Sequence, residues 1–279
     1  MPYLLTSPSS RGIGLALTVH LLRTTTLPVI ATARTSPSSV KASILSSLPS
    51  EPSFSSRLTV LPLDVTDESS IISVAEHLTR TYPSTHCHAA FLTPGILPIT
   101  ERSPAQISAQ DTHDLLTTNL IGPMLLMKHL SRFVVPSRST GAPLATAAEL
   151  GSSGLSAHRA IYAMMSARVG SITDNRLGGW YAYRASKAGV NSLVRGLDLW
   201  FQGQGGGKEG KGRAIAMALH PGTVRTEFTR DYWEQKGRTM LTAAESAEKL
   251  IRVVGEKADL DKREGGGKCW DWQGELVPP

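Results

Sequence analysis

Short, unbroken apolar runs alternate along this chain with longer stretches of helical period. The runs are YLLT (3–6), PVIATA (28–33), LTVLPLDV (58–65), HAAFLT (88–93), AIYAMMS (160–166) and AIAMALH (214–220), with KCWDW (268–272) as a short last one. Between them lie GIGLALTVHLLR (12–23), ESSIISVAEHLTRTY (68–82), THDLLTTNLIGPMLLMKHL (112–130), YAYRASKAGVNSLVRGLDLWF (181–201) and TAAESAEKLIRVVGE (242–256), where apolar residues recur every three or four positions. A strand with one wet face alternates polar and apolar residues, whereas a run without alternation is buried on both faces. Such strands separated by helices make a parallel sheet covered on both sides. The expected fold is therefore a doubly wound α/β sheet of about seven strands.

Three stretches interrupt this rhythm: the Ser/Pro-rich segments 34–57 and 136–154, and the glycine-rich, charged segment 202–213. They read as surface excursions of one domain spanning 1–279. Two cysteines, Cys87 and Cys269, are too few for a disulfide framework and suit a reducing compartment. The net charge of +6 is spread along the chain, which argues against a nucleic-acid stripe but suits an anionic small molecule. No run of 18 apolar residues marks a membrane span, and the first residues read as a strand rather than a secretory leader. A cytoplasmic protein is expected, with a homo-oligomer left open. The His86-Cys87-His88 run enters a strand, where neighbours point to opposite faces, so no metal site is expected.

The turn TSPSSRGIG (6–14) joins the first strand to the first helix. In a doubly wound sheet this turn holds a pyrophosphate on backbone amides and a helix N-terminus, and Gly12 and Gly14 would permit close approach. An acid ending the second strand would bind a free ribose 2′-OH. Here that end carries Arg34, with Arg11 in the first turn, and guanidinium matches a 2′-phosphate. Farther on, Tyr183 and Lys187 stand four apart at the start of a long helical pattern, on one face, twelve residues after Ser171. Reducing a ketone requires a hydride on carbon and a proton on oxygen. A free phenol titrates near pH 10, and an adjacent ammonium moves it toward the working pH. A serine hydroxyl can donate to the carbonyl oxygen as charge develops. A second Tyr-x-x-x-Lys, Tyr232 and Lys236, follows no buried strand and has no serine at that spacing.

These stretches together resemble the short-chain dehydrogenase/reductase family over nearly the whole chain, and 166–191 is most similar to the subgroup named for the C-factor carbonyl reductases. The resemblance implies a Rossmann sheet, NADP (NADPH) as cofactor and a carbonyl or alcohol substrate. It places Ser7, Arg11, Gly12, Ile13 and Gly14 in a TGxxxGxG-like turn, with Pro8 at the first glycine's place. There proline removes an N–H, and Ser7, Ser9 and Ser10 are the hydroxyls at hand to replace it. Asp64 and Val65 match the adenine-side Asp-Val. Gly95 is what survives of Asn-Asn-Ala-Gly after strand four. Asn119 matches the helix asparagine of a proton relay. Pro221, Gly222, Thr223, Val224 and Thr226 match the turn at the nicotinamide amide, with 229–241 as the substrate flap. The catalytic set carried over is Ser171, Tyr183, Lys187 and Asn119. In the commonest family pattern the serine closes strand five, where this chain has Ala167 after Ser166, and Ser171 is preferred to Ser166. Rival readings are a non-catalytic dinucleotide-binding regulator and an epimerase or lyase on the same scaffold.

Overall fold

The structure is a computed structural model that describes residues 1–97, 101–136, 143–204, 212–233, 240–259 and 263–279. Its strands are β1 (Tyr3–Ser7), β2 (Val29–Ala33), β3 (Leu58–Pro62), β4 (Cys87–Leu92), β5 (Ala160–Met165), β6 (Ala214–His220), β7 (Cys269–Asp271) and β8 (Leu276–Val277). They form one sheet in the order β3-β2-β1-β4-β5-β6-β7-β8. Every neighbouring pair is parallel except β7 and β8. The seven parallel strands are those expected. The antiparallel eighth, two residues long, has no period for a sequence to display.

The helices between them are α1 (Gly12–Thr24), α2 (Pro37–Ser46), α3 (Pro52–Arg57), α4 (Glu68–Thr81), α5 (Ala109–Leu116), α6 (Gly122–Val134), α7 (Ala147–Leu150), α8 (Tyr181–Gly203) and α9 (Ala243–Ala258). The excursion 34–57 is largely helical rather than irregular. Prolines open α2 and α3 where a missing N–H costs nothing, and Ile44 and Phe54 pin the two helices to the core. Segments 136–154 and 202–213 fall partly outside the described residues.

Side chains of each strand alternate between two cores. In β6, Ile215, Met217 and Leu219 pack on the α1/α9 side, while Ala214, Ala216 and Ala218 face α8 with Val190, Val194, Leu197 and Phe201. Alanines on that face let α8 lie close to the sheet. Strand order reverses between β1 and β4, and in open α/β sheets ligands bind beyond the strand ends at such a switch point. The segments after β1 through β6 carry the expected site residues. No helix among the described residues is long and apolar enough to cross a membrane.

Candidate active site

The turn after β1 is built around Pro8, whose preceding peptide is cis. Pro8 carbonyl lies against Gly14 so closely that a β-carbon there would come to 1.9 Å from it, so position 14 accepts only glycine. Gly12 is left-handed (φ 58°), and the nearest atom to a β-carbon there would be Thr226 Cγ2 at 3.6 Å. The turn after β6 thus closes over the turn after β1. Ile13 packs on the core, while Ser10 and Arg11 are exposed. Ser7 and Ser9 lie inside the turn. Both are fully buried. Thr32 Oγ1 donates to Ser7 Oγ at 2.7 Å, and Ser9 Oγ donates to Thr6 O at 3.0 Å. These hydroxyls knit the turn to β1 and β2. Arg34, just past β2, is exposed, and among the described residues neither it nor Arg11 enters an ion pair.

Asp64 follows β3 in a tight turn. Its Oδ1 accepts from Thr66 N at 2.9 Å and Thr66 Oγ1 at 2.7 Å. The N-cap of α4 is Asp67, which accepts from Ser69 N. Val65 is buried where Gly122 passes over it, a β-carbon on Gly122 meeting Val65 O at 2.9 Å.

Lys187 and Tyr183 lie on the buried face of α8, 2% and 6% exposed. Lys187 Nζ donates to Met165 O at 3.0 Å, at the end of β5, and sits 5.7 Å from the Tyr183 ring centroid. Burial pulls the Lys187 ammonium down to about 8. Asn119 is fully buried in a π-helical turn, Thr117–Ile121, that interrupts the helix between α5 and α6; such turns are frequent at functional sites. Its amide makes a two-way clamp on the loop after β4: Ile96 N donates to Asn119 Oδ1 at 2.7 Å, and Asn119 Nδ2 donates to Ile96 O at 2.9 Å. A methyl group on Gly95 would stand 3.6 Å from Lys187 Nζ, 3.7 Å from Asn119 Oδ1 and 3.8 Å from Phe228 Cε2. Three separate segments therefore meet around Gly95.

The serines are placed differently. Ser171 is buried, but its Oγ donates to Pro279 O at 3.2 Å and accepts from Asp174 N at 3.0 Å. Ser166 Oγ is bonded to Asn191 Oδ1 at 2.7 Å and to Lys187 O at 3.2 Å. A hydroxyl has one proton to give, and both are already given within the protein. At this strand end Ala167 packs, with Leu97, Val169 and Trp180, against the apolar cluster of Leu115, Ala182 and Tyr183.

In the turn after β6, Gly222 is left-handed (φ 80°) and backed by Trp272, whose Cδ1 would lie 2.7 Å from a β-carbon there. Ser246 Oγ donates to Pro221 O at 2.9 Å. Thr223, Val224 and Leu241 pair across the base of the flap: Leu241 N donates to Thr223 O, and Val224 bridges to Leu241. Within the flap 229–241, Lys236 and the side chain of Tyr232 lie outside the described residues, so the second Tyr-x-x-x-Lys pair is not placed.

Sequence reasoning passed over four residues of this site. Trp180 and Phe228 flank the Tyr183 ring at centroid distances of 6.1 and 6.2 Å. Trp272 backs Gly222, and Glu101 is buried near the start of α8. The glycine pair before Trp180 was the one available signal, because it announces an unusual turn. The geometry fits a dinucleotide: Gly12 and Gly95 form two cradles that a side chain would fill, with cations at one end and Lys187 with Tyr183 at the other.

No protein-family model matches the chain. It is 32% identical over 116 residues to the C-signal protein of Myxococcus xanthus, a match covering 42% of this chain and 59% of that protein. The match thus spans less than two thirds of that curated relative. The fold superposes on carbonyl reductase Sniffer of D. melanogaster with a TM-score of 0.79, 20% identity and full coverage of both chains. It superposes on an NADPH-bound carbonyl reductase from chicken fatty liver with a TM-score of 0.75 and 25% identity, over 100% of this chain and 99% of that one.

Proposed function

We propose that this chain, a member of the short-chain dehydrogenase/reductase family, is an NADP-dependent oxidoreductase acting on a carbonyl/alcohol pair. One observation carries the reading. Tyr183 and Lys187 are buried together, one helical turn apart, beside the Gly95 and Asn119 junction at the switch point of the sheet. The likeness to a carbonyl reductase with NADPH bound supports the cofactor and the reaction class.

Bound NADPH supplies the hydride for the carbonyl carbon. The protein's residues do the rest. Tyr183 gives its phenolic proton to the carbonyl oxygen, or takes it back in alcohol oxidation. The Lys187 ammonium favours the phenolate and would hold the nicotinamide ribose; Asn119 keeps the Gly95 loop in register with both. Arg11 and Arg34 would hold the 2′-phosphate, Gly12, Ile13 and Gly14 the pyrophosphate, and Asp64 and Val65 the adenine. The turn from Pro221 to Thr226 would hold the nicotinamide amide. Trp180, Phe228 and Leu97 keep water from the phenol. Ser171, the serine that the family resemblance implies as donor to the carbonyl oxygen, gives its proton to Pro279 O and is assigned a bracing role.

The test is NADPH oxidation with a broad panel of aldehydes and ketones. Tyr183→Phe should lower turnover by at least ~10²-fold, the scale of lost acid–base catalysis, while NADPH binding persists. Tyr232→Phe should keep most activity. Tight NADPH binding by a parent protein that reduces no carbonyl in the panel would favour a non-catalytic dinucleotide-binding role instead.

A further inference from the structure

Helix α8, which carries Tyr183 and Lys187, begins without a cap of its own. Its N-cap is Trp180, in a left-handed conformation (φ 52°); that residue's side chain makes no capping bond, and the first turn holds no acid. Gly178 and Gly179 are left-handed as well, at φ 64° and 65°. The leading N–H groups of a helix need acceptors from somewhere. Glu101, 81 residues before Ala182, supplies two. Its carbonyl oxygen accepts from Trp180 N at 2.6 Å, and its carboxylate Oε1 accepts from Ala182 N at 3.4 Å. Gly179 passes beneath the same carbonyl, where a β-carbon would come to 2.8 Å.

Glu101 is 5% exposed, and its second oxygen, Oε2, has no hydrogen-bond partner among the described residues. A buried, half-satisfied carboxylate is costly, so a role in packing alone accounts for it poorly. Its place in the chain suggests more. Glu101 follows Gly95 and the Asn119-clamped Ile96 in the segment leaving β4, and Ala182, which it caps, precedes Tyr183. We infer that Glu101 is a positioning residue: it caps α8 from the segment after β4, and so fixes the turn bearing Tyr183 against the Gly95 side of the site. This rests on Tyr183 being the acid–base group.

The experiment compares the parent chain with Glu101→Ala and Glu101→Gln, using hydrogen exchange at the Ala182 amide and steady-state reduction of one carbonyl by NADPH. Glutamine keeps an acceptor oxygen; alanine keeps none. Glu101→Ala should lower kcat by ~10- to 100-fold, the scale of a misplaced catalytic group, with KM for NADPH within about twofold of the parent. Exchange at Ala182 should speed up by about tenfold, as expected for an amide that has lost its partner. Glu101→Gln should recover most of both. If the alanine variant does not fold, Glu101→Asp, one methylene shorter, takes its place. Unchanged exchange would overturn the cap. Faster exchange with parent-like kcat would reduce it to a structural cap and overturn the positioning role, as would equal losses in the glutamine and alanine variants. A parent without carbonyl turnover would overturn the functional reading and this role with it, while the exchange data would still report the cap.

Discussion

At the scale of single residues, the adjacency of Tyr183 and Lys187 was legible because a spacing of four on a helix fixes it, and the surroundings of Ser171 were not. Ser171 stands twelve residues before Tyr183, but spacing along a chain says nothing of where a loop hydroxyl sends its proton. In the structure that proton goes to Pro279 O, and Ala167 packs against the apolar cluster that contains Tyr183. Removing an oxyanion donor costs about 10²–10³ in kcat, whereas removing a bracing hydrogen bond costs roughly 1 kcal/mol of stability. With its proton already committed, Ser171 is expected to behave as a brace. Ser171→Ala should lower the melting temperature by a few degrees and keep turnover within about tenfold. Ala167→Ser, which places a hydroxyl in the Tyr183 cluster, should raise kcat/KM by about tenfold or more if it reaches the carbonyl oxygen. Rates and melting curves for both variants decide the matter, and a loss in Ser171→Ala approaching 10²-fold would restore that serine to the chemistry. Glu101 was invisible for a similar reason: no local pattern shows that a glutamate in one loop caps a helix elsewhere.

Strands and helices with a period were readable from one sequence; those built on other grounds were not. β1 through β7 and the helices α1, α4, α5, α6, α8 and α9 showed themselves because burial on a sheet face or helix stripe forces apolar spacing. α2 and α3 hid behind serines and prolines, since they rest on the surface through Ile44 and Phe54. The π-helical turn at Asn119 left no mark, because one extra residue per turn does not disturb an apolar stripe that short. The closeness of α8 to β6, set by three alanines, has a measurable consequence through Lys187. Its ordinary pKa is 10.5, and burial brings it to about 8 in the folded chain. Between these values the unfolded chain binds more protons than the folded one, so stability should rise with pH across that window. The gap corresponds to ~3 kcal/mol at about 1.4 kcal/mol per pH unit. Below pH 8 the lysine is charged in both states and the penalty is constant. Chemical unfolding of the ligand-free protein from pH 7.5 to 10.5, compared with Lys187→Met, isolates the effect. The parent should gain ~3 kcal/mol over the variant across the range. Parallel curves would mean that Lys187 keeps an ordinary pKa despite its burial.

Across the whole molecule, charge and topology point the same way. The chain carries a net +6, and the doubly wound sheet brings the ends of β1 and β2 side by side. Arg11 and Arg34 therefore stand exposed at neighbouring strand ends, and no acid is present at the end of β2 to bind a free 2′-OH. A phosphate contact to a cation contributes roughly 1.5–3 kcal/mol in a hydrogen-bonded geometry, and solvent exposure moves it toward the lower figure. At ~1.4 kcal/mol per decade, Arg34→Ala should weaken NADPH by roughly 10- to 150-fold, with the low end favoured. NADH, which lacks the phosphate, should change little. If Arg11 shares the same anion, the double variant should exceed the single one, and its loss should exceed the sum of the two single losses where either arginine can compensate for the other. Salt supplies an independent check. Screening acts on exposed pairs, so raising ionic strength from 0.05 to 0.5 M should narrow the gap between NADPH and NADH in the parent and leave the double variant nearly flat. The measurement is the dissociation constant of each cofactor for parent, single and double variants at both salt levels. Equal weakening of NADPH and NADH in Arg34→Ala would make that arginine structural and remove the charge argument for NADP from this fold.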